Sequence, residues 1–113
     1  MSAPSTPPFY TSISKQFPEV IKAVENLGIT LRAVGPIDEK TSHLIQLAAA
    51  AAMHSEGAVC SHTYRALQAG ASPEEISHTL LLLISTIGFP QTMAAISWYQ
   101  QIMAKGIADK QGT

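Results

Sequence analysis

The chain has 113 residues and a formal net charge of −1, a length that fits one domain. Apolar residues make up 46% of the sequence and charged residues 13%, about half of the roughly 25% that is usual in soluble domains. The seven basic residues are scattered, which excludes the basic stripe that binds nucleic acid or an anionic membrane. Because so small a domain cannot bury this much apolar surface within one copy, we expect a homo-oligomer.

Other sequence features predict a cytoplasmic protein. The longest apolar runs, 44–53 and 80–84, are too short to span a membrane. The N-terminus lacks the basic and apolar segments of a secretory signal. The single cysteine, Cys60, excludes an intramolecular disulfide and a four-thiolate zinc site.

Composition also suggests the limits of the domain. Residues 1–9 are rich in proline, serine and threonine and predict a flexible N-terminal arm. Residues 110–113 predict a frayed tail. These limits leave residues 10–109 as a single helical domain.

The first two helices are predicted from their end signals. The first runs from Pro18 to Asn26 and is stopped by Gly28. Residues 30–36 are predicted to be extended or irregular, because a Gly-Pro pair closes them. The second helix is predicted to start after its N-cap Asp38 and to end near His54.

The next two helices have clearer start and stop signals. The third is predicted over residues 57–69 and ends before Gly70, which suits the left-handed residue after a helix. The fourth begins with Ser72-Pro-Glu-Glu, the pattern of a capping box with proline at the first helical position. It is predicted to continue to the break at residues 88–90. Since Leu80–Leu83 point in every direction around its axis, we expect this helix to be buried on all sides.

A last helix is predicted from Gln91 to Lys105 and is closed by Gly106. No alternating strand pattern competes with these helical segments. The sequence therefore predicts an all-α fold, a compact bundle of about five helices.

The histidines are the main candidates for chemistry, and no cofactor or metal is predicted. His43 and His54 lie on one face of the second helix but about 16 Å apart along it, too far to share one metal ion. We expect His54 and His78 to be packing residues. Cys60 faces nearly away from His62 on the third helix and is expected to be a small buried or interface hydrophobe.

A resemblance to a known family begins at His62. An alanine follows four residues later and a glycine eight residues later, then the Ser72-Pro-Glu-Glu-Ile helix start and the Gly88-Phe-Pro turn. This spacing resembles the carboxymuconolactone decarboxylase family, whose superfamily includes the alkylhydroperoxidase D-like, peroxiredoxin-like proteins. The resemblance covers about residues 37–103. It implies an alkylhydroperoxidase D-like helical bundle that assembles as a trimer or hexamer.

The decarboxylase branch of the family implies a lyase acting on a small carboxylated or lactone substrate. Loss of carbon dioxide leaves an enolate that must be protonated, and a histidine with a pKa near neutrality suits that step. The resemblance makes His62 this acid–base residue, with Glu56 or His43 orienting it or the substrate.

The substrate contacts are less specific in the sequence. A carboxylate usually requires a cation, and Arg32 and Arg65 are the candidates. Ser55 shares a helical stripe with Ala58 and His62 and is a further candidate for substrate binding.

Two alternatives remain open. One is a thiol-dependent peroxidase, although the two cysteines of the redox relatives align with Ser55 and Ala58, which cannot form a disulfide. The acidic residue of those relatives aligns with His43. The other alternative is a non-catalytic, homo-oligomeric scaffold or binding subunit of the same fold. The histidine pattern favours the enzyme.

Overall fold

Local end signals place most of the helices. The computed structural model describes the backbone of residues 8–112 and the side chains of residues 9–106. Over this range the chain forms helices and no strands, as predicted. The helices are α1 Pro8–Gln16, α2 Pro18–Ala33, α3 Glu39–Ala52, α4 Glu56–Gln68, α5 Pro73–Leu81, α6 Ile84–Ile87 and α7 Phe89–Gly112. Residues 1–7 of the predicted arm and Thr113 of the predicted tail lie outside the described residues.

The predicted caps are present. The Asp38 carboxylate accepts a hydrogen bond from the Thr41 backbone N–H at 2.8 Å and begins α3. At the start of α5, the Glu75 backbone N–H donates to Ser72 Oγ and the Ser72 N–H donates to Glu75 Oε1. Gly70 follows α4 with φ of +102°, the left-handed conformation expected after a helix.

The hydrophobic core lies between α3, α4, α5 and α7. Its largest fully buried apolar side chains are Leu47, Val59, Ile76 and Leu80. Alanines from α3, α4 and α7 complete the core, and α3 packs most extensively against α4. Small side chains let these helix backbones approach closely, so the residues on α3 and α4 are held in a fixed relation.

The N-terminal helices differ from the prediction. Helix α1 was not predicted and begins at Pro8, inside the predicted arm. Helix α2 continues to Ala33, so the prediction of an irregular segment from residue 30 is wrong for its first four residues. Gly28 does not stop α2 but lies inside it, and the Arg32 guanidinium lies so near that a Cβ at Gly28 would be 3.1 Å from Arg32 Nη1.

The C-terminal part also differs. The predicted fourth helix is divided, since α5 ends at Leu81 and the short α6 follows. Leu81 is 48% exposed and Leu82 is 60% exposed, so the prediction of burial on all sides is wrong. Helix α7 passes through the buried Gly106 instead of ending there. Among the described residues, no helix combines the length and hydropathy needed to cross a membrane.

Candidate functional site

Two histidines and two arginines from three helices act on one another. His43 lies on α3 and His62 on α4, while Arg32 comes from the end of α2 and Arg65 from α4. The charges of Arg65, His43 and Arg32 all lower the pKa of His62. We call these four residues the paired-histidine site.

His62 is held as a neutral imidazole. Its Nδ1 atom is buried and has no hydrogen-bond partner in the described part of the chain. Burial, together with the charges of Arg65, His43 and Arg32, lowers the pKa of His62 to about 4. The expectation of a pKa near neutrality is therefore wrong, because the burial of the ring and the charges around it could not be read from the sequence.

His43 is the more deeply buried of the two, with 4% of its surface exposed. Its Nε2 atom lies 3.2 Å from Oε2 of Glu39, one helical turn earlier in α3. Its Nδ1 atom is buried without a partner among the described residues. Burial and the charge of Arg32 lower the pKa of His43, and the bond to Glu39 opposes them.

Arg32 joins α2 to α3. Only 9% of its side chain is exposed. Its Nε atom donates to Glu39 Oε2 at 3.3 Å, and its Nη1 atom donates to Gln46 Oε1 at 3.4 Å. A guanidinium with five donors keeps further N–H groups for a ligand when two are used in this way.

Arg65 joins α4 to the N-terminal helices. Its Nη2 atom donates to the Tyr10 hydroxyl at 3.2 Å and lies 3.8 Å from the Glu25 carboxylate. The guanidinium also lies over the Tyr10 ring, 5.7 Å from the ring centre. The Tyr10 hydroxyl in turn donates to Glu25. The predicted substrate ligand Arg65 is thus part of the site, and α1 and α2 help to position it.

Two other predicted site residues lie elsewhere. Glu56 is exposed, and its charge raises the pKa of Cys60; it is not among the charges that shift the pKa of His62. Ser55 is the N-cap of α4, where its Oγ accepts from the Ala58 N–H at 3.4 Å. The catalytic role of Glu56 and the substrate-binding role of Ser55 therefore stay predictions.

The remaining histidines and the cysteine are peripheral. The His54 ring packs edge-on against Trp98, with ring centres 5.1 Å apart, which fits its predicted packing role. His78 is exposed on α5, so the prediction that it is a packing residue is wrong. Burial raises the pKa of the Cys60 thiol. In the part of the chain that the structure describes, no three histidine, cysteine or acidic side chains are grouped to hold a metal ion.

Sequence reasoning missed four partners in this site, namely Tyr10, Glu25, Glu39 and Gln46. The Glu39–His43 contact has a sequence signal, because residues four apart face each other on a helix. The others pair across helices. Tyr10 directly follows residues 1–9, the segment that was predicted to be a flexible arm.

Comparisons with known proteins identify the family of the chain. The model of the carboxymuconolactone decarboxylase family matches residues 18–101, which include all of the paired-histidine site. An uncharacterized protein of Methanocaldococcus jannaschii is 31% identical over 84 residues, 74% of this chain and 78% of that protein. The crystal structure of an apo carboxymuconolactone decarboxylase family protein from Legionella pneumophila superposes with a TM-score of 0.67 at 25% identity, covering 84% of this chain and 85% of that one.

Proposed function

Because the chain belongs to the carboxymuconolactone decarboxylase family, we propose that it decarboxylates a small carboxylated lactone, with His62 as the acid–base residue. The observation that carries the proposal is the environment of His62. Its imidazole is half-buried and neutral, its Nδ1 atom is buried without a partner among the described residues, and the charges of two arginines lower its pKa. A neutral proton carrier beside fixed positive charge suits an anionic substrate.

The arginines have two roles in this proposal. Arg32 and Arg65 bind the substrate carboxylate through their unused N–H groups. The bound anion offsets the positive charges that lower the pKa of His62. Substrate binding therefore raises the pKa of His62, and the imidazole takes up a proton that it does not hold in the free protein.

The proposed reaction is a decarboxylation followed by protonation of the resulting enolate. The bond between the carboxylate and the lactone ring breaks, carbon dioxide leaves, and the electron pair forms an enolate. The protonated His62 donates its proton to the enolate carbon and becomes neutral. Solvent supplies the next proton when another substrate binds.

A panel of small carboxylated lactones tests this function. Wild-type protein is expected to release carbon dioxide from at least one of them. His62→Ala is expected to lower the rate by about 10²–10⁴-fold, the usual contribution of an acid–base residue. His78→Ala, which removes an exposed histidine on α5, is the control and should match the wild type. Equal release by wild type and His62→Ala would overturn the proposal.

A second candidate function is a non-catalytic homo-oligomer, a trimer or hexamer. Its support is the surface of α1 and α2. Helix α2 has no buried residue. Large apolar side chains are exposed along these helices and the segment after them, namely Phe9, Ile13, Phe17, Val20, Val24, Leu27, Ile29, Leu31, Val34 and Ile37. Exposed apolar surface of this extent is typical of protein–protein contacts.

Light scattering on the wild type and on Val24→Glu measures this self-association. The assembly is expected to exceed one chain for the wild type and to weaken in the variant. A wild-type monomer would contradict it. The scaffold interpretation differs from the enzyme in one respect. It expects His62→Ala to change the stability of the fold and to have no effect on any activity.

A thiol peroxidase has less support, because the raised pKa of Cys60 keeps the thiol protonated.

A further inference from the structure

One oxygen of Glu39 contacts two members of the paired-histidine site. Oε2 lies 3.2 Å from His43 Nε2 within α3 and accepts a hydrogen bond from Arg32 Nε at 3.3 Å across the turn between α2 and α3. Glu39 is itself 61% exposed, whereas His43 and Arg32 are largely buried. The carboxylate thus lies at the rim of the site and reaches inward to both side chains.

This contact constrains the proton on the imidazole. An ionised carboxylate only accepts hydrogen bonds, so the ring nitrogen facing it must carry the proton. A neutral His43 is then protonated on Nε2 and bare on Nδ1. That Nδ1 atom is buried, and no group among the described residues uses its lone pair.

We propose that Glu39 is a positioning residue that fixes His43 in the Nε2–H tautomer and leaves Nδ1 as a buried proton acceptor in the paired-histidine site. Fixing a tautomer through a carboxylate is an established way to orient an acid–base histidine. The use of this acceptor in catalysis rests on the proposed function. The tautomer itself does not.

The charges around His43 give Glu39 a second effect. Arg32 from α2, and Arg65 and His62 from α4, are the cationic or titratable groups that act in or on this pair. Both arginines lower the pKa of His43, and Glu39 is the group that opposes them. Removal of Glu39 therefore releases the tautomer and lowers the pKa of His43 further.

Nitrogen-15 NMR of the imidazole rings measures both properties without an activity assay. In the wild type at neutral pH, His43 is expected to show a protonated Nε2 and a bare Nδ1. In Glu39→Ala the two tautomers should both be populated. Glu39→Gln can still accept through its amide oxygen, so it should restore the Nε2–H form while the pKa of His43 remains below that of the wild type.

Glu74→Ala is the matched control, since Glu74 is another exposed glutamate in the first turn of a helix. It should leave the His43 spectrum unchanged. A wild-type spectrum with the proton on Nδ1 would overturn the proposal, as would an unchanged tautomer and pKa in a folded Glu39→Ala. If Glu39→Ala does not fold, the pKa of His43 in Glu39→Gln becomes the test. A pKa of His43 equal to that of the wild type would overturn the proposal. The NMR measurement does not depend on activity. The tautomer proposal can therefore be tested even if no lactone is decarboxylated, and its failure is distinguishable from failure of the proposed function.

Discussion

The Nη2 atom of Arg65 donates a hydrogen bond to the Tyr10 hydroxyl at 3.2 Å, although the two residues are 55 positions apart. This bond joins α4 to α1, and the Arg32 contacts with Glu39 and Gln46 join α2 to α3. Because α2 has no buried residue, polar contacts carry much of the attachment of the N-terminal helices to the core.

Tyr10→Phe should loosen that attachment. The phenyl ring can still lie under Arg65, but the bonds to Arg65 and Glu25 are lost. We expect a loss of about 1 kcal/mol in the free energy of unfolding and faster hydrogen exchange in α1 and α2. Tyr64→Phe is the control, since among the described residues the Tyr64 hydroxyl bonds only to Gln68, within α4. Identical hydrogen exchange in both variants would show that the Tyr10 hydroxyl does not attach α1 and α2 to the core.

Stability should depend on pH through His62. Its pKa is about 4 in the folded chain against 6.5 for the ordinary side chain. Between these values the unfolded chain binds a proton that the folded chain does not, so the free energy of unfolding rises with pH. From pH 7 to pH 5 we expect a loss of about 1–2 kcal/mol from this residue. Urea denaturation should show a flatter dependence for His62→Gln; an equal slope would contradict the assigned pKa.

Much of the fold followed from the sequence where the signal is local. The cap at Asp38, the capping box at Ser72 and the left-handed Gly70 each depend on residues within one turn, and each is present. Errors arose where distant packing decides. Helix α2 runs through Gly28, so the glycine alone did not mark the end of the helix. An all-round leucine pattern at 80–83 cannot distinguish burial in a core from exposure on a surface.

The candidate site was only partly predictable. The positions of His62 and His43 came from the family resemblance, and Arg65 from the need for a cation. The neutral state of His62 depends on burial and on charges from α2 and α4, which a sequence does not reveal. Glu56 was predicted to orient His62 or the substrate, but its charge acts on Cys60.

Two leucines on either side of the α5 end should respond differently to truncation. Leu80 is fully buried and Leu82 is 60% exposed. Leu80→Ala should cost about 2–5 kcal/mol through lost contacts and a cavity. Leu82→Ala should cost less than about 1 kcal/mol. Chemical denaturation of both variants checks this difference, and similar costs would show that Leu82 is covered in solution.

Cys60 should react slowly with thiol reagents. Burial and the charge of Glu56 raise the pKa of its thiol, so little thiolate is present at neutral pH. Modification by iodoacetamide at pH 7 is expected to be slower than for free cysteine and to speed up in Glu56→Gln. Rapid modification of the folded wild type would contradict the assigned environment.

The central claim is that His62 transfers a proton in a decarboxylation. The most direct measurement is the rate of carbon dioxide release from a carboxylated lactone by the wild type and by His62→Gln, whose amide can form hydrogen bonds but cannot carry the proton. We expect turnover by the wild type and a rate at least about 10²-fold lower for His62→Gln. Turnover by His62→Gln at the wild-type rate would contradict it.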